Sequence, residues 1–130
     1  MEDHKKLIKE IFKNIFETPS FDEAIVRKYF STDYIQHVDG KTLGFDHFIK
    51  HVEVVKDAMQ SMSINFKTLV QENDTVFTNH IVTGTTKEGR TGDVQVIGEF
   101  RIRNGQVIYC DELTHQLSGD PKDRDLGSRV

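Results

Sequence analysis

The chain has 130 residues, 36% of them hydrophobic and 29% charged, with a formal net charge of -4 at pH 7 and a mean hydropathy of -0.50. That length supports one domain with its own core, and the acidic balance excludes a clustered basic surface for nucleic-acid phosphates. No apolar run approaches the ~20 residues of a membrane span, and the single cysteine, Cys110, excludes an intrachain disulfide and fits a reducing, cytoplasmic setting.

Leu7, Ile8, Ile11, Phe12, Ile15 and Phe16 recur at helical spacing, with Lys5, Lys6, Lys9, Glu10 and Lys13 opposite. A core-facing amphipathic first helix is expected, ended by Thr18-Pro19. Ser20 and Glu23 have capping-box spacing for a second helix through Ala24, Ile25, Tyr29 and Phe30. Tyr34 to Val38 reads as a short strand, and Gly40 and Gly44 frame a loop. A third helix carries Phe45, Phe48, Ile49, Val52, Val55 and Met59 on one stripe. His47 and His51 are four apart on it, a metal-ligand spacing. They lie off the main stripe and lack the Glu of an HExxH helix, so both are expected at the solvated surface.

From Met62 onward the period becomes two. Met62, Ile64, Phe66, Thr68 and Val70 share one side of a strand, Asn73-Asp74 turns the chain, and Val76 to Lys87 returns. Gly84 to Thr91 resembles a phosphate-binding loop in spacing, but it joins two strands instead of opening a helix, so a plain connection is expected. Asn104-Gly105 is a strong hairpin signal joining a strand that starts near Thr91 to one that ends near Leu117. Pairing outward from Arg103 and Gln106 sets Ile102 opposite Val107, Phe100 opposite Tyr109 and Val96 opposite Leu113 on one face. The other face then carries Ile97, Glu99, Cys110 and Glu112.

In that register Glu99 and Glu112 are diagonal neighbours, on the order of 7–8 Å apart at Cα. In a dry cavity two such carboxylates cannot both ionise freely, which would set a general acid beside a general base. On a solvated face Glu99 would pair with Arg101 instead, and alternation leaves both readings open. His37 and His80 stand among apolar neighbours, each either a satisfied core imidazole or a further titratable group of the same site. Residues 118–130 lack periodicity and carry many charges, so they read as a polar tail, an arm or disordered. Helices first and an antiparallel meander afterwards define an α+β domain over residues 1–117.

Tyr34-Ile-Gln-His37, Gly98-Glu-Phe-Arg101 with Asn104-Gly105-Gln-Val107, and Cys110-Asp-Glu-Leu113, together with the order of elements, resemble the NTF2-like (cystatin-related) cone fold in its SnoaL-like branch. The resemblance implies three N-terminal helices packed on a curved, mostly antiparallel sheet. It implies a small apolar molecule as partner and cofactor-free, metal-free acid–base chemistry, of the cyclase, isomerase or dehydratase kind, on an apolar carbonyl compound. A non-catalytic ligand-binding or dimerisation module of the same fold is the alternative. By position Glu112 would be the acid/base and His37 would orient substrate or water. His80 falls where epoxide hydrolases of this fold carry Arg, and Val82 where they carry a carboxylate, a departure that argues against epoxide hydrolysis. The pocket face would also hold Glu99, Ile35, Ile97, Cys110 and Val82. The face with Phe100, Ile102 and Tyr109 would then lie outside, covered by a second copy in a homodimer.

Overall fold

The computed structural model describes residues 3–129. Helix α1, His4–Ile11, is capped by the Asp3 side chain, which accepts from the Lys6 amide, and runs on into a wider π-helical turn, Phe12–Phe16. The wide turn sets the Phe12 and Phe16 rings 5.5 Å apart, facing the sheet. The buried Lys56 ammonium closes that helix end by donating to the carbonyls of Phe16 and Thr18. Helix α2, Glu23–Tyr29, is capped by Asp22, not Ser20: its carboxylate accepts from the Ala24 amide at 3.0 Å. Glu23 therefore makes no capping box and bonds Arg27 at 2.7 Å.

Strand β1, Phe30–Val38, turns through Asp39 and Gly40, both at positive φ (51° and 85°), into the short β2, Lys41–Gly44. That strand lies where the sequence suggested a loop, because Asp-Gly can supply the left-handed pair a tight hairpin needs. Helix α3, Phe45–Ala58, follows, then β3, Met59–Glu72, β4, Thr75–Thr86, β5, Thr91–Arg103, and β6, Gln106–Ser118. The six strands form one sheet in the order β2-β1-β6-β5-β4-β3. Every neighbouring pair is antiparallel except β1 with β6, which is parallel. The sheet is mostly antiparallel and curved, and it wraps the three helices on one face without closing.

The Asn104-Gly105 turn is where the sequence put it, with Arg103 opposite Gln106 and Ile102 opposite Val107. Beyond that the expected register fails by one. Arg101 pairs with Tyr109 and Phe100 with Cys110, leaving Ile108 as an extra residue in a β-bulge. A one-residue shift exchanges the two faces of a strand relative to its neighbour. Val96, Phe100, Ile102, Val107 and Cys110 are therefore all buried against the helices, Phe100 5% and Ile102 2% exposed. They are the centre of the core, not its outer cover. A second bulge, between Phe66 and Thr68, has the same effect on β3. Phe66 packs edge-on to Phe12, and after the bulge Leu69 takes the inward position while Val70 is left exposed.

Residues 119–129 are neither an arm nor disordered. After Ser118 the chain reverses at Gly119, makes a 3-10 turn over Pro121–Asp123 and lies back across one end of the sheet. Gly92 and Gly119 permit the reversal: a Cβ on Gly92 would stand 2.6 Å from the Ser118 carbonyl oxygen.

Candidate functional site

The inner face of the sheet is a set of rungs running across β4, β5 and β6. From the deep end outward they read Val76–Phe100–Cys110, Thr78–Gly98–Glu112, His80–Val96–Thr114 and Val82–Val94–Gln116. The Phe100 ring folds over Gly98, where a Cβ would meet it at 3.0 Å, so the middle of this wall stays apolar. Opposite the wall stand Phe12 and Phe16 from the π-helical turn and His51, Val55 and Met59 from the α3 side. Between them lies a cavity of about 140 Å³. A smaller one of about 50 Å³ lies deeper, bounded by Tyr34, Gln36, Phe48 and Cys110. Glu112, Phe12, Phe16 and His51 border both.

Glu112 stands where the apolar cavity meets a buried polar chain. The Tyr34 hydroxyl donates to Gln36 Oε1 at 2.6 Å, and Cys110 Sγ donates to Glu112 Oε2 at 3.8 Å. Burial pushes the Glu112 carboxyl up to about 7, and the negative charges of Asp39 and Asp111 push the same way, against the Cys110 hydrogen bond. Burial also holds the Tyr34 hydroxyl and the Cys110 thiol well above their ordinary values; both are neutral donors near pH 7. Asp39 brackets the acid from the turn after β1. Its amide donates to the Glu112 carbonyl at 3.1 Å, and its carboxylate accepts from the Thr114 amide at 2.8 Å and from the Thr114 hydroxyl.

His80 faces the same cavity from the next rung, two strands across the sheet from Glu112. Its Nδ1 is 2.8 Å from Thr78 Oγ1, and its ring lies edge-on to Phe12 at 4.9 Å and tilted against Phe66 at 5.4 Å. Burial lowers its pKa to about 4, so at neutral pH it is an uncharged imidazole. No described side-chain nitrogen or oxygen is both buried and unpaired, which leaves Nε2 for the cavity.

Of the candidate residues, Glu112, His80, Val82 and Cys110 come together on the inner wall. His37, Glu99, Ile35 and Ile97 do not: all four sit on the outer face. The bulge at Ile108 is the cause for Glu99, which pairs with Asp111 across the ladder and bonds Arg101 at 2.9 Å. On β1 the inward residues are Phe30, Tyr34, Gln36 and Val38, because Tyr34 wedges between the Phe30 and Phe48 rings. His37 therefore points outward, bonded to Thr42 at 2.9 Å and set edge-on to the Tyr109 ring at 5.6 Å.

Sequence reasoning missed His51, Phe12, Phe16, Thr114 and Gln116. His51 is buried, not solvated, and donates Nδ1–H to the Arg129 carbonyl at 2.6 Å. Its position three after Phe48 and four before Val55 put it on the apolar stripe all along, while His47 is exposed.

With this geometry in view, comparison with known proteins settles the lineage. Residues 6–111 match the SnoaL-like polyketide cyclase family. The chain belongs to that family. An uncharacterised protein of Schizosaccharomyces pombe is 32% identical over 127 residues, covering 98% of this chain and 97% of that one. The solved structures share the SnoaL-like fold at lower identity. AclR of Streptomyces galilaeus, described as a candidate hydroxylase, superposes with a TM-score of 0.75 at 19% identity over 98% of this chain and 84% of its own. IdmH of Streptomyces antibioticus, described as a candidate polyketide cyclase, gives 0.71 at 14% identity over 86% and 92%. The SnoaL-like match stops one residue short of Glu112, so the case for that side chain rests on its geometry.

Proposed function

We propose that the chain is a cofactor-free acid–base enzyme acting on an apolar carbonyl compound held in the cavity, with Glu112 moving the proton. The observation that carries this reading is the Glu112 carboxyl, buried on the sheet wall where the two cavities meet, whose pKa of about 7 matches the pH at which it would work. In its ionised form Glu112 removes a proton from the carbon next to the carbonyl; protonated, it returns that proton elsewhere on the same molecule. Charge then develops on the carbonyl oxygen, and the uncharged His80 supplies a donor for it. If the Thr78 hydroxyl donates to Nδ1, Nε2–H is left to bond the oxygen across the cavity. Thr114 and Gln116 line the approach. Cyclisation, isomerisation and dehydration all begin with this step.

Glu112→Gln should lower turnover of an accepted ketone by roughly 10²–10⁴-fold and remove the limb of the pH–rate profile near 7, with ligand affinity kept. An unchanged profile in that variant would remove Glu112 from the role.

The partner we infer is a second copy of the chain across the outer sheet face. Phe100 and Ile102 are not part of that face, but Ile35, Phe77, Ile97, Tyr109 and Leu113 are. Leu113 is 66% and Phe77 46% exposed, too much contiguous apolar surface for a settled monomer. Arg101 lies over the Tyr109 ring at 4.6 Å and bonds Glu99 at 2.8 Å, so the face carries both charges and complements itself about a two-fold axis. The free buried thiol of Cys110 supports a reducing compartment for the protein.

A further inference from the structure

The cavity has one wall that belongs to neither the sheet nor the helices. Residues 119–129 supply it, placing Asp120, Asp123, Leu126 and Gly127 against the space that Glu112 and His80 face. Four elements tie this segment down. The Arg90 guanidinium, in the loop between β4 and β5, grips Asp123 with two parallel hydrogen bonds of 2.9 and 2.8 Å. Only 12% of the Asp123 side chain remains exposed. Gln116 of β6 donates to the Asp120 carbonyl at 2.8 Å. His51 of α3 donates to the Arg129 carbonyl at 2.6 Å, and Lys41 of β2 donates to Ser128 Oγ at 3.2 Å. Gly127 lies so close to the site that a Cβ there would stand 3.0 Å from Thr114 Cγ2.

A charge-assisted two-pronged pair that is mostly withheld from water is a stronger tether than an exposed ion pair. The segment is therefore a fixed wall, and the space it leaves is about 140 Å³. A cavity of roughly 150 Å³ holds one benzene ring. Fused polycycles need more room than that.

We propose that residues 119–129 are the specificity-determining wall of the site, restricting it to apolar carbonyl compounds of single-ring size, and that the Arg90–Asp123 pair sets the limit. This rests on the reading of the cavity as the ligand site. The substrate class is then a monocyclic or short branched ketone or aldehyde, with its oxygen toward His80 and its acidic carbon toward Glu112.

The test uses the full chain and two ketones, acetophenone with one ring and anthrone with three, with affinities measured by calorimetry and ligand-observed NMR. The wild-type protein should bind acetophenone at least about tenfold more tightly than anthrone, a discrimination a shaped apolar pocket can reach. Asp123→Asn, which breaks the two-pronged pair, should bring the two affinities to within about threefold. Leu126→Ala, which removes side-chain volume from the wall without touching the tether, should move them in the same direction. Should Asp123→Asn fail to fold by circular dichroism, Leu126→Ala decides alone. Equal binding of both ketones by the wild type overturns the proposal, as does a size preference unchanged in the folded variants. Failure of the wild type and every folded variant to bind either ketone overturns the reading of the cavity itself, and the wall with it.

Discussion

Glu112 and His80 respond to pH in opposite directions, and their sum is a measurable signature of the site. Glu112 keeps its proton in the folded chain up to about 7, whereas a free glutamate loses it near 4.3. Between those values the folded state binds the extra proton, so stability falls as pH rises, by roughly 3–4 kcal/mol in all. His80 is held neutral down to about 4, against roughly 6.5 when unfolded. Over that interval the unfolded state binds the extra proton, and stability rises with pH by a similar amount. Between about pH 4.5 and 6.5 the two slopes therefore oppose one another, and the melting temperature of the wild type should rise only as far as His51, whose pKa burial also lowers, carries it. In Glu112→Gln the slopes of His80 and His51 stand unopposed, and above pH 8 that variant should be more stable than the wild type by roughly 3–4 kcal/mol in urea titrations. Asp39→Asn removes the stronger of the two negative charges that raise Glu112, so the acid limb of a pH–rate profile, where Glu112 gains its proton and stops acting as the base, should move to lower pH. Glu99→Gln, on the outer face beside Arg101, should leave both the profile and the melting curve where they were.

At the scale of elements, the helices and the Asn104-Gly105 turn were legible, and the faces of the strands and the Asp39-Gly40 hairpin were not. Asn104-Gly105 and the apolar stripes of α1 and α3 follow from local chemistry, which one sequence displays in full. The bulge at Ile108 does not. Val107-Ile108-Tyr109-Cys110 is an unbroken apolar run, so nothing in it marks where alternation slips by one. A global requirement could have corrected the assignment: three amphipathic helices need an apolar sheet face to cover, and Val96, Phe100 and Ile102 make the more apolar of the two. Glu112 was placed on the pocket side through a family likeness, while Glu99 was carried there by the wrong register. The closing segment was illegible for a different reason. Its charged residues are spent on pairing partners distant in sequence, such as Arg90 with Asp123, and charge composition alone reads as solvation. Its dependence on glycine is testable: Gly92→Ala pushes a methyl group toward the Ser118 carbonyl and should cost about 1–3 kcal/mol in urea unfolding.

For the whole molecule, the proposed dimer assigns the outer face to assembly. Sedimentation of the wild type should report a dimer, and Leu113→Glu, which puts a charge amid exposed apolar groups, should give a folded monomer with the cavity intact. A wild-type monomer at concentrations of about 100 μM would remove the dimer, since interfaces of standard size bind more tightly than that.

The parallel pairing of β1 with β6 has a consequence for how the chain reaches this shape. Phe30 meets Val107, and His37 meets Asp111, so the strand that follows α2 has no long partner until the chain has been made to β6. The meander from β3 to β6 can zip locally from its turns, but α2, β1 and β2 must wait for its far edge. Pairings that span so much chain are slow to form. During synthesis the N-terminal third would remain unsheltered until the last strand arrives, which makes that interval, and not the finished fold, the moment at which a chaperone would matter.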